Sequence, residues 1–315
     1  EIDPVIQKLG AEHHPDRPFF LHLSYVDPHD PYDPPEPYSE MFRPDEMPDP
    51  LPRRWAGSKA LEKKRAFAGF EEIAGDVAAV RELRALFHGS VRLIDDQLGR
   101  VVRFLEGRGL WENTVFLFTT DHGELLGDHE LITKGVAHYD AGVRCPLIVC
   151  GAGVVPGVSA RLSCTLDFCP TFCEWAGLAH LPPLEGRSFA GACRGEASPG
   201  WRDVTVESDH VPELHPSVRS IVTDDGWRLT VFGESGYGEL FDLNADPAEQ
   251  RNLYFDEAYT GKKVALLERH VRAYLRPLQV QSYRNLPVQR GRRHRAAPGF
   301  GLRDDVLQLG AETDP

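Results

Sequence analysis

The sequence predicts an α/β protein: a mostly parallel sheet flanked by helices, in the alkaline-phosphatase manner, plus a small C-terminal antiparallel sheet with one helix packed on it. Three observations carry this. The runs at 19–26, 114–120 and 146–153 are predominantly apolar, as strands covered on both faces are. Helical periodicity fills the stretch 76–106 between them. Beyond about residue 200 the pattern shifts to four short runs separated by turn residues. The expected organisation is an α/β core over 1–200, a four-stranded subdomain with its helix over 201–276, and an irregular basic tail over 277–315.

The first expected strand, Phe19 to Val26, runs into a segment with nine prolines between Asp27 and Trp55, which no helix can cross. A loop this long inside a domain is usually functional, and because it leaves a strand end we expect a lid or wall over a site. From Asp76 to Glu106, Val77, Val80, Leu83, Phe87, Val91, Ile94, Leu98, Val101, Val102 and Leu105 recur at helical steps, and Gly107 and Gly109 end the run. Residues 165–178 predict a helix with Pro170 near its first turn and Gly177 just past its end. The late runs "DVTVESD", "VRSIVTDD", "WRLTVFG" and "GELFDL" predict short strands, and 257–275 the helix that packs on them.

Composition excludes several function classes. Against 35 basic residues stand 48 acidic ones, a net charge of −13 that argues against nucleic acid as the main partner. No apolar run reaches the ~20 residues of a membrane span. None of the six cysteines forms a C-x-x-C pair, so a zinc ribbon or redox dithiol is not expected; buried free thiols are. The chain opens "EIDPVIQKLG", without an initiator Met or a signal segment, and we expect a processed product or a piece of something longer.

The chemistry concentrates in "FTTDHGELLGDHELITKG", residues 117–134. Asp121 and His122 directly follow a buried strand, and ligands of open α/β sheets bind at the carboxyl ends of strands. A carboxylate beside an imidazole, with Gly123 permitting a tight turn, suits a divalent cation. Lys134 offers a point charge for a tetrahedral anion. His29, also just past a strand, is placed to donate a proton to a leaving group. Asp-His-Gly is also a common turn, and His29 alone also reads as a loop histidine.

Longer stretches resemble the sulfatases of the alkaline-phosphatase superfamily. "PFFLHLSYVDPHDPYDPPEPY" resembles the family's strand and Pro-His-x-Pro loop. "SVRLIDDQLGRVVRFLEGRGLWENTVFLFTTDHGELLGDH" resembles its long helix, strand and metal-binding turn. "KGVAHYDAGVRCPLIV" resembles the lysine-bearing segment, and "GELFDLNADPAEQRNL" the C-terminal sheet signature. The resemblance covers the family's C-terminal two thirds. It implies that Asp121 and His122 are metal ligands, that Lys134 holds the sulfate and leaving-group oxygens, and that His29 contacts sulfate and assists leaving-group departure. His138 lies one helical turn beyond Lys134 if that stretch is helical, and either faces substrate or serves structurally. The implied metal is calcium, with magnesium or manganese as alternatives. The implied substrate is a small-molecule or carbohydrate sulfate ester.

Many family members carry Asn where this chain has His122. The His form also occurs in phosphonate and phosphate monoester hydrolases, which stay open as the second reading; a truncated, non-catalytic fragment is the third. The family's acidic pair and its Cys-x-Pro-x-Arg or Ser-x-Pro-x-Arg, source of the formylglycine nucleophile, have no match here and are expected upstream of Glu1. Asp95-Asp96 is no substitute: side chains of adjacent helical residues diverge by about 100°. The segment 207–220 is a further candidate for shaping the pocket.

Overall fold

Asp76 sets the longest element. In the computed structural model its carboxylate accepts from the backbone N–H of Ala78 at 2.8 Å and Ala79 at 3.3 Å, capping α4 (Val77–Gly107). The structure describes residues 2–14, 17–54, 56, 58–66, 71–178, 184–208, 217–233 and 236–274. The basic tail 277–315 and most of the segment 207–220 lie outside them. Ahead of α4 come α1 (Asp3–Glu12), α2 (Lys59–Ala66) and α3 (Glu71–Ala74).

α4 buries Val80, Leu83, Ala85, Val101 and Leu105. Val77 and Val91, counted in the apolar stripe, are exposed instead. In mid-helix the face turned inward is small: Gly89 lies so close to the proline-rich segment that a Cβ there would sit 2.3 Å from the Tyr38 carbonyl oxygen. Burying Gly89 and Ser90 rotates Val91 outward. The proline-rich segment thus lies along α4, with the Tyr38 hydroxyl donating to Asp96 at 3.0 Å.

Segment 19–26 differs from expectation. It is extended, with Phe19, Leu23 and Tyr25 packed beside Val101 and Leu105, but it forms no ladder with any described strand. Its alternate residues Phe20 and Val26 are exposed. β1 (Val115–Thr119) pairs with β2 (Leu147–Gly151), and the pair is antiparallel. The intervening 120–146 is long enough for a parallel crossover, which is why the sequence favoured one. Instead it leaves and returns at one end of the pair, closed by the Thr119 hydroxyl donating to the Pro146 carbonyl at 2.8 Å. Among the described residues all strand pairing is antiparallel.

That returning segment contains α5 (Asp140–Val143). α6 (Phe168–Trp175) and α7 (Ala190–Cys193) follow β2. The six cysteines are free, as expected, but Cys169 is exposed and the other five are only half-buried. β3 (Asp203–Ser208), β4 (Val218–Thr223), β5 (Trp227–Phe232) and β6 (Gly238–Asp242) then form the expected antiparallel sheet in sequential order. α8 (Thr260–Tyr274) packs Leu266 against Ile221, Leu229 and Leu240 on it. The sheet's other face joins a core with Leu61, Leu125, Leu131, Val136 and Tyr139, so the 120–146 segment is clamped between α2 and the C-terminal sheet.

Candidate active site at the end of β1

Asp121 and His122 leave the carboxyl end of β1 as the sequence requires. Asp121 Oδ1 accepts from the His122 backbone N–H at 3.0 Å, and the Thr120 hydroxyl donates to the His122 carbonyl at 3.0 Å. The Gly123 N–H bonds to the Gly142 carbonyl, and a Cβ on Gly123 would lie 2.0 Å from the Ala141 carbonyl oxygen. Only glycine lets the turn press this closely on α5. His122 Nδ1 lies 2.9 Å from the Gly123 carbonyl. A carbonyl can only accept, so Nδ1 carries a proton, and Nε2 is the ring nitrogen left to face a cation. That nitrogen is 3.6 Å from Asp121 Oδ2, a spacing two ligands of one ion can share. The donor pair therefore fits part of a divalent-cation sphere. Among the described residues no group of three or more His, Cys, Asp or Glu side chains gathers around a metal-sized space.

His29 and Lys134 come together through a residue the sequence reading did not single out. Asp30 Oδ1 lies 3.2 Å from His29 Nδ1 and 3.4 Å from Lys134 Nζ. His29 Nδ1 is also 2.7 Å from the Asp30 carbonyl, which directs that nitrogen's proton to Asp30 and leaves Nε2 for a ligand. Lys134 Nζ is 3.6 Å from Glu124 Oε2. Burial raises the Glu124 pKa, opposed chiefly by the nearby Lys134 charge and in part by His122. Glu124 thus connects the Asp121–His122 turn electrostatically with Lys134. Asp30 follows His29 directly and Glu124 sits two residues past His122, so both were legible as neighbours of named residues. Lys64 of α2, which donates to the Thr133 hydroxyl beside Lys134, gave no such sign.

The turn between these groups is held under strain. Leu126, His129 and Glu130 take left-handed φ angles of 46°, 58° and 59°. Arg84 of α4 fixes them, donating to the Leu126 carbonyl at 2.9 Å and to Asp128 at 2.7 Å, and reaching the Pro48 carbonyl at 3.1 Å. The proline-rich segment is tied to the same turn by the Leu51 N–H on Asp128 at 2.8 Å. It thus packs against the turn that precedes Lys134.

His138 does not face a ligand. The stretch after Lys134 is not helical, and His138 is 0% exposed, with Nδ1 2.7 Å from the Ser220 hydroxyl and Nε2 2.8 Å from the Ser208 hydroxyl. Both nitrogens are spent on the C-terminal sheet, and its role is structural. Burial lowers its pKa from 6.5 to about 3. The unfolded chain accepts this proton below about pH 6.5 and the folded chain does not. Its share of stability is thus complete above that pH and is lost as pH falls. The slope is about 1.4 kcal/mol per pH unit. Glu249, raised to about 7 chiefly by burial, acts in the opposite sense, so the comparison must be with wild type. His138→Asn should flatten the fall in urea-unfolding free energy between about pH 6 and about pH 4.5 by that slope; an unchanged slope would contradict the assignment.

Known proteins share this arrangement of segments. The family model described as "Sulfatase" matches residues 2–178, and one described as "N-sulphoglucosamine sulphohydrolase, C-terminal" matches residues 127–275. An arylsulfatase of Clostridium perfringens is 31% identical over 250 residues, covering 78% of this chain and 51% of that protein. A multifunctional alkaline phosphatase superfamily protein of Trinickia caryophylli is 31% identical over 274 residues, covering 78% and 53%. The phosphonate monoester hydrolase of Silicibacter pomeroyi superposes with a TM-score of 0.73 at 26% identity, covering 89% of this chain and 60% of that one. The chain spans about half the length of the sequence relatives it matches. Its α/β core and C-terminal sheet have the alkaline-phosphatase-like fold, and with more than half of its residues under the first model the chain belongs to the sulfatase family.

Proposed function

We propose that the protein is a sulfatase-type hydrolase that cleaves the sulfate monoester of a small molecule or carbohydrate. The observation that carries this reading is the convergence of His29 and Lys134 on one oxygen of Asp30, next to the turn bearing Asp121 and His122. Asp121 and His122 would hold a divalent cation, calcium being the first candidate. Bound there, it would neutralise sulfate oxygens and activate a nucleophile. Lys134 binds the sulfate group and the oxygen on which charge develops as the ester bond breaks. His29 donates a proton from Nε2 to the departing oxygen while Asp30 holds Nδ1 and stabilises the charged ring. The nucleophile, which the family resemblance makes a formylglycine, is assigned to the length of the relatives that this chain does not span.

The role of His29 depends on the leaving group. An alkoxide needs a proton to depart and 4-nitrophenolate does not. In the full-length protein, His29→Ala should cost about 100-fold in kcat/KM with alkyl sulfates and much less with 4-nitrophenyl sulfate. Equal losses on both would remove His29 from proton donation. A second reading, hydrolysis of phosphonate or phosphate monoesters, is favoured by His122 and by the likeness to phosphonate monoester hydrolases. The ratio of kcat/KM for matched sulfate, phosphonate and phosphate esters of one leaving group separates the two.

A further inference from the structure

Lys64 lies in α2, some seventy residues before the catalytic loop, in the charged run "LEKKRA". Its neighbours in that run, Glu62, Lys63 and Arg65, remain at least partly exposed. Lys64 is only 6% exposed. Its ammonium donates to the Thr133 hydroxyl, on the residue preceding Lys134. The charged groups facing it are Glu124 and Lys134 from the 120–146 segment and Asp30 from the proline-rich segment. Burying an ammonium is unfavourable, and a methionine would fill the same space without that cost.

A charge balance explains its presence. Lys134 sits between two carboxylates, Asp30 at 3.4 Å and Glu124 at 3.6 Å. Alone, this trio carries a net charge of −1 and would repel an anionic ester from the lysine meant to receive it. Both carboxylates have other work, Asp30 on His29 and Glu124 inside the turn after His122. Adding Lys64 brings the four groups to neutrality, so an arriving sulfate no longer meets a net negative charge around Lys134.

Resting on the functional reading above, we infer that Lys64 is a positioning residue of this site: it offsets the second carboxylate and anchors Thr133, so that the Lys134 ammonium is held in place and left free to bind the anion. Its pKa, lowered to about 8 chiefly by burial, is a consequence of this placement. It follows that the anion site weakens as Lys64 loses its proton.

The test uses full-length wild type, K64R and K64M with 4-nitrophenyl sulfate, and calorimetric binding of inorganic sulfate. In K64M, KM and the sulfate dissociation constant should both rise about tenfold, the effect of one unit charge across a partly buried site, with a smaller change in kcat. K64R should restore both to within about threefold. Wild-type kcat/KM should fall above about pH 8, and K64R, which keeps its charge, should lack that fall. Unchanged sulfate binding in K64M overturns the inference. So does an alkaline fall in K64R equal to that of wild type, which decides the matter even if K64M does not fold. Wild type that binds sulfate more tightly than K64M but turns over no ester would sink the functional reading and leave the placement of Lys64 standing.

Discussion

Lys134→Ala is expected to lower kcat/KM for a sulfate ester by about 10²- to 10³-fold, the usual cost of removing one charge-stabilising donor from a transition state. Lys134 is three-quarters buried in its side chain, at 23% exposure, so its charge acts where water screens it weakly. The loss should appear in kcat as well as KM, because charge on the bridging oxygen grows as the bond breaks. Removing Lys134 also takes away the largest charge opposing the burial of Glu124, which favours protonation of that carboxyl. Steady-state kinetics of full-length wild type and variant check this; a change confined to KM would make Lys134 a binding residue only.

Arg228→Leu is expected to destabilise the fold by about 3–5 kcal/mol, the cost of breaking a buried ion pair from one side. Arg228 is 1% exposed and pairs with Glu249 at 2.5 Å. It donates to the His138 carbonyl and lies over the rings of Tyr139 and Phe241, 5.1 and 5.0 Å from their centroids. Glu239, 1% exposed, accepts from the Tyr139 hydroxyl at 2.9 Å and also depends on the Arg228 charge. Without Arg228 two buried carboxyls lose their counter-charge, and their folded pKa values rise further. The folded state then holds protons that the unfolded state releases, so the loss should be larger at about pH 8 than at about pH 5. Urea unfolding at both pH values tests this, and Arg228→Leu combined with Glu249→Gln should recover part of the loss at the higher one. Arg228 grips the carbonyl of His138, four residues beyond Lys134, and so joins the C-terminal sheet to the segment that carries Lys134.

What could be read in advance followed the range of the physics involved. α4 was legible because its signals are local: a repeating apolar stripe and a terminal glycine. The four late strands were legible from alternating runs and turns. Asp121, His122, Lys134 and His29 carried recognisable chemistry in recognisable surroundings. The antiparallel return of β2 was not legible, since a connection of that length suits either direction. His138 looked available because local spacing says nothing of Ser208 and Ser220, supplied by strands seventy or more residues away. Lys64 belongs to the same class. Its charged neighbours suggest a solvated helix, and only the tertiary packing of α2 on the 120–146 segment buries it.

The most direct measurement is turnover of 4-nitrophenyl sulfate by the full-length protein, with a divalent cation present and after its removal by chelation, alongside the matched phosphonate monoester. The account predicts hydrolysis of the sulfate ester with the higher kcat/KM, lost on chelation. Sulfate turnover that is absent, or indifferent to chelation, would contradict it.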